Sequence, residues 1–212
     1  MPHLAADPVV AAASIVMALQ TVVSRNIDPQ QTAIVTVGAP HAGSANNVIP
    51  QTATLALSVR ALDPDMRDRL QHRITALVHA QAAGFGVSAR VDYQRDCPVL
   101  DNSPAETAFA RQVAVDLLGA GKVTLQGQAL TGSEDFAVML QHCPGSYLLI
   151  GNGTDDGPGG HGCMVHHPGH DFNDHSIAIG AACWVLLGAA GCCWRNRSSP
   201  SPALPADPAD PP

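Results

Sequence analysis

Apolar residues recur at three- and four-residue steps through Val9, Ala12, Val16, Leu19 and Val23, the period of one helix face. Asp7-Pro8 stands just ahead of them, an acceptor side chain followed by a residue pre-set for a first helical turn. The spacing predicts an amphipathic helix over residues 8–25. Two extended segments follow. Residues 33–37 are short and rich in β-branched side chains. Residues 53–60 alternate, with Ala53, Leu55, Leu57 and Val59 on one face and Thr54, Ala56, Ser58 and Arg60 on the other. Asp63-Pro64 opens a second helix whose apolar stripe is Met66, Leu70, Ile74 and Leu77. Residues 87–93 then alternate again as a strand.

The predicted order is helix, strand, strand, helix, strand. A ferredoxin-like split βαβ unit has one more strand, ahead of its first helix. Without it, helix 8–25 lacks a sheet partner and a neighbouring strand keeps a raw edge. The chain is expected to begin one strand late.

Past Tyr93 the texture changes. Ser103 and Glu106 read as a capping box with Pro104 at the first helical position. That helix is expected to reach about Leu118 with Phe109, Val113 and Leu117 inward. Ser133 reads as the cap of a short helix through Leu140, and residues 146–150 as an apolar strand. A further helix is expected from about His175 to Leu187. Alternating helix and strand is the habit of α/β layers. The last stretch is Ser, Pro, Ala and Asp, ending ADPADPP, which has nothing to bury and is expected to be disordered.

Composition narrows the function classes. A chain of 212 residues has room for one large domain or two small ones. A formal charge of −7 argues against nucleic acid, which needs a basic face. No run is read as reaching the roughly 18 to 20 apolar residues of a membrane span. The start has no basic segment ahead of an apolar run, so it does not read as a signal peptide. Together these favour a cytoplasmic protein. The six cysteines are scattered or adjacent and do not suggest a disulfide framework.

The chemistry concentrates in residues 161–175. His161, His166, His167, His170 and His175 are half of the ten histidines, and Cys163, Asp171 and Asp174 lie among them. Imidazole, thiolate and carboxylate are transition-metal donors. Neither a paired CxxC nor an HExxH helix is present. Three readings stay open: a self-contained zinc site, a polar loop, or a loop that gives one ligand to a site assembled from distant segments.

Five ordered motifs carry a resemblance. They are DPVVAAASIVMALQTVVSRNIDP, NNVIP ahead of ALSVRALD, GSEDFAVML, GSYLLIGNG and HHPGHDFNDHSIAIGA. In this order and spacing, the chain resembles the metal-dependent amidohydrolases typified by hippurate hydrolase, aminoacylase and the indole-acetyl-amino-acid hydrolases. The similarity covers roughly residues 1 to 190.

The resemblance implies a fold of mixed α/β and α+β type. Residues 1–93 would be an incomplete ferredoxin-like lid and dimerisation domain with its first strand missing. Residues 94–191 would be the C-terminal part of a zinc-peptidase-like α/β catalytic domain, followed by a disordered tail at 192–212. It implies hydrolysis of an amide bond in small N-acyl amino acids, with a divalent metal (Zn, Mn or Co) and a homodimer formed through the lid. His166 matches the last metal ligand of the family. Asn47 and Arg60 match lid positions that hold the substrate's amide oxygen or carboxylate. Arg60 suits this independently, because guanidinium binds carboxylate bidentately. Solvated strand-end and turn roles stay open for Arg60 and Asn47.

Other matches are weaker. Ser133, Glu134 and Asp135 fall in a motif near the active site of relatives, yet read equally well as a helix cap. His3 matches the second histidine of the motif that opens the lid. His170 stands where the family usually has tyrosine. The family's remaining ligands include a paired Glu-Glu that also holds the general base. This chain has only Glu106 and Glu134, so no catalytic residue can be assigned. The chain is expected to be a truncated, inactive form. The alternative is a non-enzymatic dimerisation or binding module derived from the lid. An incidental metal site of His161, Cys163, His166 and His170 is a third reading.

Overall fold

In the computed structural model, residues 1–124, 126–153 and 160–198 are described. Helix α1 spans Pro8–Asn26, and Asp7 caps it as the sequence suggests: its Oδ1 accepts from the Val9 and Val10 amides. Strands β1 (Ala33–Ala42) and β2 (Ala53–Ala61) follow, then helix α2 (Pro64–Gly84). Asp63 repeats the device, accepting from the Met66 amide at 2.8 Å. Helices α3 (Pro104–Leu118), α4 (Phe136–Leu140) and α5 (His175–Ser198) come next among the described residues. The fold is mixed α/β.

β1 and β2 form an antiparallel two-stranded sheet. β1 runs five residues past its expected end because its register shifts between Val37 and Ala39, leaving Gly38 as an extra residue. A bulge of this kind lets the strand continue through Pro40, which cannot donate to a ladder. The core beneath the sheet joins Ile15, Leu19 and Val22 of α1 to Met66, Leu70, Ile74 and Ala82 of α2. Leu55, Leu57 and Val59 of β2 pack against it, as their alternation predicts.

Several expectations are corrected. The buried face of α1 is Ala11, Ile15, Leu19 and Val22, rotated from the expected stripe. The helix is apolar nearly all round, so two stripes fit its spacing and packing against α2 chooses. Being so apolar, α1 is also long and apolar enough by composition to cross a membrane, against the reading that no segment qualifies. Leu19 and Val22 have no exposed surface, as in a core helix. In α3 the buried residues are Ala110 and Val113, with Phe109 and Leu117 only half-buried.

Two expected strands make no ladder. Residues 87–93 alternate between half-buried and exposed, and Val87, Ala89 and Tyr93 pack on the core. Among the described residues no strand pairs with them, and β2 is bonded to β1 alone. Residues 146–150 likewise have side-chain alternation or apolarity without a partner strand. A strand is defined by its neighbour as much as by its own pattern.

The capping box at Ser103 does not form. Its hydroxyl accepts from the Gly145 amide at 3.1 Å and its own amide donates to the Gly145 carbonyl at 2.9 Å. Ser103 caps nothing with its side chain because a distant backbone claims it. α4 begins at Phe136, three residues after Ser133, and has no side-chain cap. α5 continues past Leu187 to Ser198, since only glycines interrupt that run. The rest of the expected tail, residues 199–212, lies outside the described residues.

The chain divides into two units. One comprises residues 1–101 and 129–142, the other residues 102–128 and 143–212.

Candidate functional site

Asn47 and Arg60 belong to the first unit. Asn47 sits in the exposed turn between β1 and β2. Arg60 pairs with Ile34 near the end of β2 and, by the strand's alternation, lies on the face opposite Leu57 and Val59. Its guanidinium is already engaged: Nη1 donates to the Thr131 carbonyl at 2.6 Å, and Nε to the Ser58 hydroxyl at 3.4 Å. Two of the five donors are thereby used, and three remain to meet an anion. Ser133, two residues beyond Thr131, lines the same cavity as Arg60. Sequence reasoning had no means of pairing Arg60 with a carbonyl 71 residues away.

The histidine loop belongs to the second unit. Its backbone is held by Asn152, whose Nδ2 donates to the carbonyls of His161 and Asp171 at 3.0 and 2.7 Å. Asn152 Oδ1 accepts from the Asn173 amide at 2.8 Å, and Asn173 Nδ2 donates to the Asn152 carbonyl at 3.0 Å. Asn173 Oδ1 also accepts from the His175 amide at 3.1 Å, capping α5. Next to Asn152, Gly153 has φ +135°, and a Cβ there would stand 3.2 Å from His161 Cβ. These asparagines were missed in the sequence. The available signal was an Asn at the start of the α5 helix, a preferred cap.

Within this frame most of the histidines serve the loop itself. His161 Nδ1 lies 3.2 Å from the Asp171 carbonyl and 3.7 Å from its carboxylate. His167 Nδ1 accepts from the Gly169 amide at 3.0 Å. His170 Nδ1 contacts the Cys163 carbonyl at 2.7 Å, and its ring meets Phe172 edge-on. Its Nε2 is buried with no hydrogen-bond partner. Among the described residues, no three His, Cys, Asp or Glu side chains converge on a point where a metal could sit. The set His161, Cys163, His166 and His170 is therefore not assembled as a self-contained site.

His166 differs from its neighbours. It is exposed, and its φ of 72° is the one left-handed backbone among the described non-glycine residues. That conformation costs an L-residue about 1–2 kcal/mol, and such strain collects at functional positions. The geometry presents the imidazole outward from a loop that Asn152 and Asn173 fix.

Similarity to known proteins extends over most of the chain. The family model described as peptidase family M20/M25/M40 matches residues 4–189. Hippurate hydrolase of Campylobacter jejuni is 33% identical over 186 residues, covering 88% of this chain and 47% of that enzyme. N-acetyl-L-cysteine deacetylase of Bacillus subtilis is 36% identical over 177 residues, covering 84% of this chain and 40% of the relative. The crystal structure of the Bacillus subtilis YXEP protein, a dinuclear metal binding peptidase from the M20 family, superposes with TM-score 0.63 at 25% identity. It covers 85% of this chain and 45% of that one. The chain thus spans about half the length of the relatives it matches. On the family match, the chain belongs to the M20/M25/M40 peptidase family, whose named relatives here are amide-bond hydrolases.

Proposed function

We propose that the chain serves metal-dependent hydrolysis of the amide bond in small N-acyl amino acids, and that residues 1–212 carry the substrate-binding side of that chemistry. In this reading residues 1–93 are a ferredoxin-like lid and dimerisation domain short of its leading strand, and residues 94–191 are part of an α/β catalytic domain. The observation that carries it is the family match over residues 4–189. It is reinforced by relatives named for hippurate and for N-acetyl-L-cysteine.

Arg60 takes the substrate carboxylate. Its planar fork is pre-set by the Thr131 carbonyl, so little rotamer freedom is left to lose on binding. Asn47, in the β1–β2 turn, donates its side-chain amide to the scissile carbonyl. His166 is one ligand to zinc, manganese or cobalt.

The residues present do not fit a pair of metals. No three donors converge among the described residues, and the sequence has two glutamates, Glu106 and Glu134, never adjacent. A general base must stand within hydrogen-bond reach of the proton it takes, and no side chain here is assigned to that task. Residues 1–212 by themselves therefore bind rather than hydrolyse. They are also expected to pair as a homodimer through the lid unit, which size-exclusion chromatography reads directly.

Calorimetric titration with N-acetyl-L-cysteine tests the substrate class. The chain is expected to bind it, the methyl ester to bind at least about tenfold more weakly, and Arg60→Ala to lose about the same. Equal binding by Arg60→Ala would remove Arg60 from the account.

A further inference from the structure

Three arginines and a histidine gather where the end of α1 meets α2. Arg25 stands in the last turn of α1. Arg69, His72 and Arg73 are spaced to share one face of α2. With Ile27 and Asp68 they line an open cavity of about 660 Å³, a size at which small-molecule sites are found.

The guanidiniums are aimed by bonds to the end of α1. Arg73 Nε donates to Asn26 Oδ1 at 2.9 Å, and Arg69 Nη2 donates to the Asn26 carbonyl at 3.3 Å. Arg25 Nη1 donates to the Ser24 carbonyl at 2.8 Å. Each bond takes one of the five donors of a guanidinium. Two planar forks from α2 and one from α1 thus keep most of their N–H groups for something else.

Their charge is not met within the protein. Asp68 is the one carboxylate lining the cavity, and Arg95 holds it at 2.6 Å. Asp28 accepts from the Gln30 amide at 2.9 Å. Asp65, one turn ahead of Arg69, makes no ion pair among the described residues. Like charges a turn apart on a helix repel, so Arg69 and Arg73 are together at a cost. The end of α1 offsets part of it, since arginines cap last-turn carbonyls. That end carries only about half a negative charge, far less than three guanidiniums bring.

A carboxylate presents one edge and is met by a single fork. A phosphate carries up to two charges on three terminal oxygens, and so can meet forks arriving from two helices. We propose that this cavity binds a phosphate dianion, free or as the monoester of a small molecule, held by Arg25, Arg69 and Arg73. Arg60 lies on the sheet face that turns away from α1 and α2, so the inference does not depend on the hydrolytic reading.

Calorimetric titration of the full chain with inorganic phosphate, at constant ionic strength, tests it. Saturable 1:1 binding is expected, with acetate at least about tenfold weaker. Arg69→Gln and Arg73→Gln are each expected to weaken phosphate binding at least about tenfold, and Arg73→Lys, which keeps the charge without the fork, to fall between. Circular dichroism checks that each variant is folded. Should the loss of the Asn26 bonds unfold the α2 variants, Arg25→Gln, which leaves those bonds in place, carries the test with the same expected loss. Arg60→Ala is expected to bind phosphate as the parent does, which separates this site from the proposed carboxylate site. Phenyl phosphate in the same titration tells the two sources apart: tighter binding than inorganic phosphate assigns the site to a monoester, and weaker binding to the free ion. No saturable binding at millimolar phosphate would overturn the inference. Equal binding by a folded Arg73→Gln, equal binding of acetate, or loss of phosphate binding in Arg60→Ala would overturn it too.

Discussion

Asn152 and Asn173 clasp each other through side chain and backbone in both directions: Oδ1 of Asn152 takes the Asn173 amide, and Nδ2 of Asn173 takes the Asn152 carbonyl. The clasp joins the end of the 145–153 stretch to the start of α5 and encloses the histidine loop. Asn173→Ala removes the bond to Asn152 and the cap on the His175 amide. A cap and a part-buried hydrogen bond are each worth about 1 kcal/mol. The variant is expected to lose about 2 kcal/mol in urea unfolding, with amide exchange accelerated in residues 160–175. Unchanged exchange in that segment would show that the clasp does not hold the loop.

His166 is strained where its neighbours are not. With φ at 72°, replacing it by glycine relieves the Cβ clash, whereas alanine keeps it. His166→Gly is expected to gain about 1 kcal/mol over His166→Ala in the same unfolding experiment. Equal stability of the two variants would mean that the position is not held left-handed in solution.

Tyr93 gives a pH signature. Burial raises its phenol above 10.0, against the opposing pull of Arg67 and Arg95. The folded chain therefore favours the neutral phenol more than the unfolded chain does. That contribution is complete below about pH 10 and is lost as the pH climbs through the raised folded-state value. Ultraviolet titration is expected to show a tyrosinate transition above the ordinary phenol range that Tyr93→Phe removes. Tyr93→Phe is expected to flatten the loss of stability in that alkaline window.

The α1–α2 core can be checked by truncation. Leu70 has no exposed surface and touches the same cluster as Leu19 and Ile15. Leu70→Ala is expected to cost about 2–5 kcal/mol, read as a lower urea midpoint. A cost under about 1 kcal/mol would mean the core is already loose.

What could be read from the sequence divides along the range of the interactions. Asp7-Pro8 and Asp63-Pro64 announced α1 and α2 because a cap is settled within four residues. Leu55, Leu57 and Val59 were legible by simple alternation. Residues 87–93 had the same alternation, yet no ladder forms, since pairing depends on a neighbour that alternation does not specify. Ser103 matched a capping motif but bonds Gly145, 42 residues away. The buried face of α1 was ambiguous because Ala11, Ile15 and Val22 compete with Ala12, Val16 and Val23 on a helix that is apolar on both. In the candidate site, His166 was reached by motif, and its left-handed backbone came only from the structure. Arg60 was reached by motif and strand face, but its hold on the Thr131 carbonyl is a long-range contact. Asn152 and Asn173 were missed, although Asn at a helix start is a familiar signal.

Hydrolysis of N-acetyl-L-cysteine and hippurate by residues 1–212, with Zn²⁺, Mn²⁺ or Co²⁺ supplied, tests the account most directly. If Arg60 and Asn47 bind substrate and His166 is a lone metal ligand, as proposed, no turnover above the metal-only blank is expected. Metal-dependent turnover that disappears in His166→Ala would contradict the account, because it would require a full metal centre within these residues.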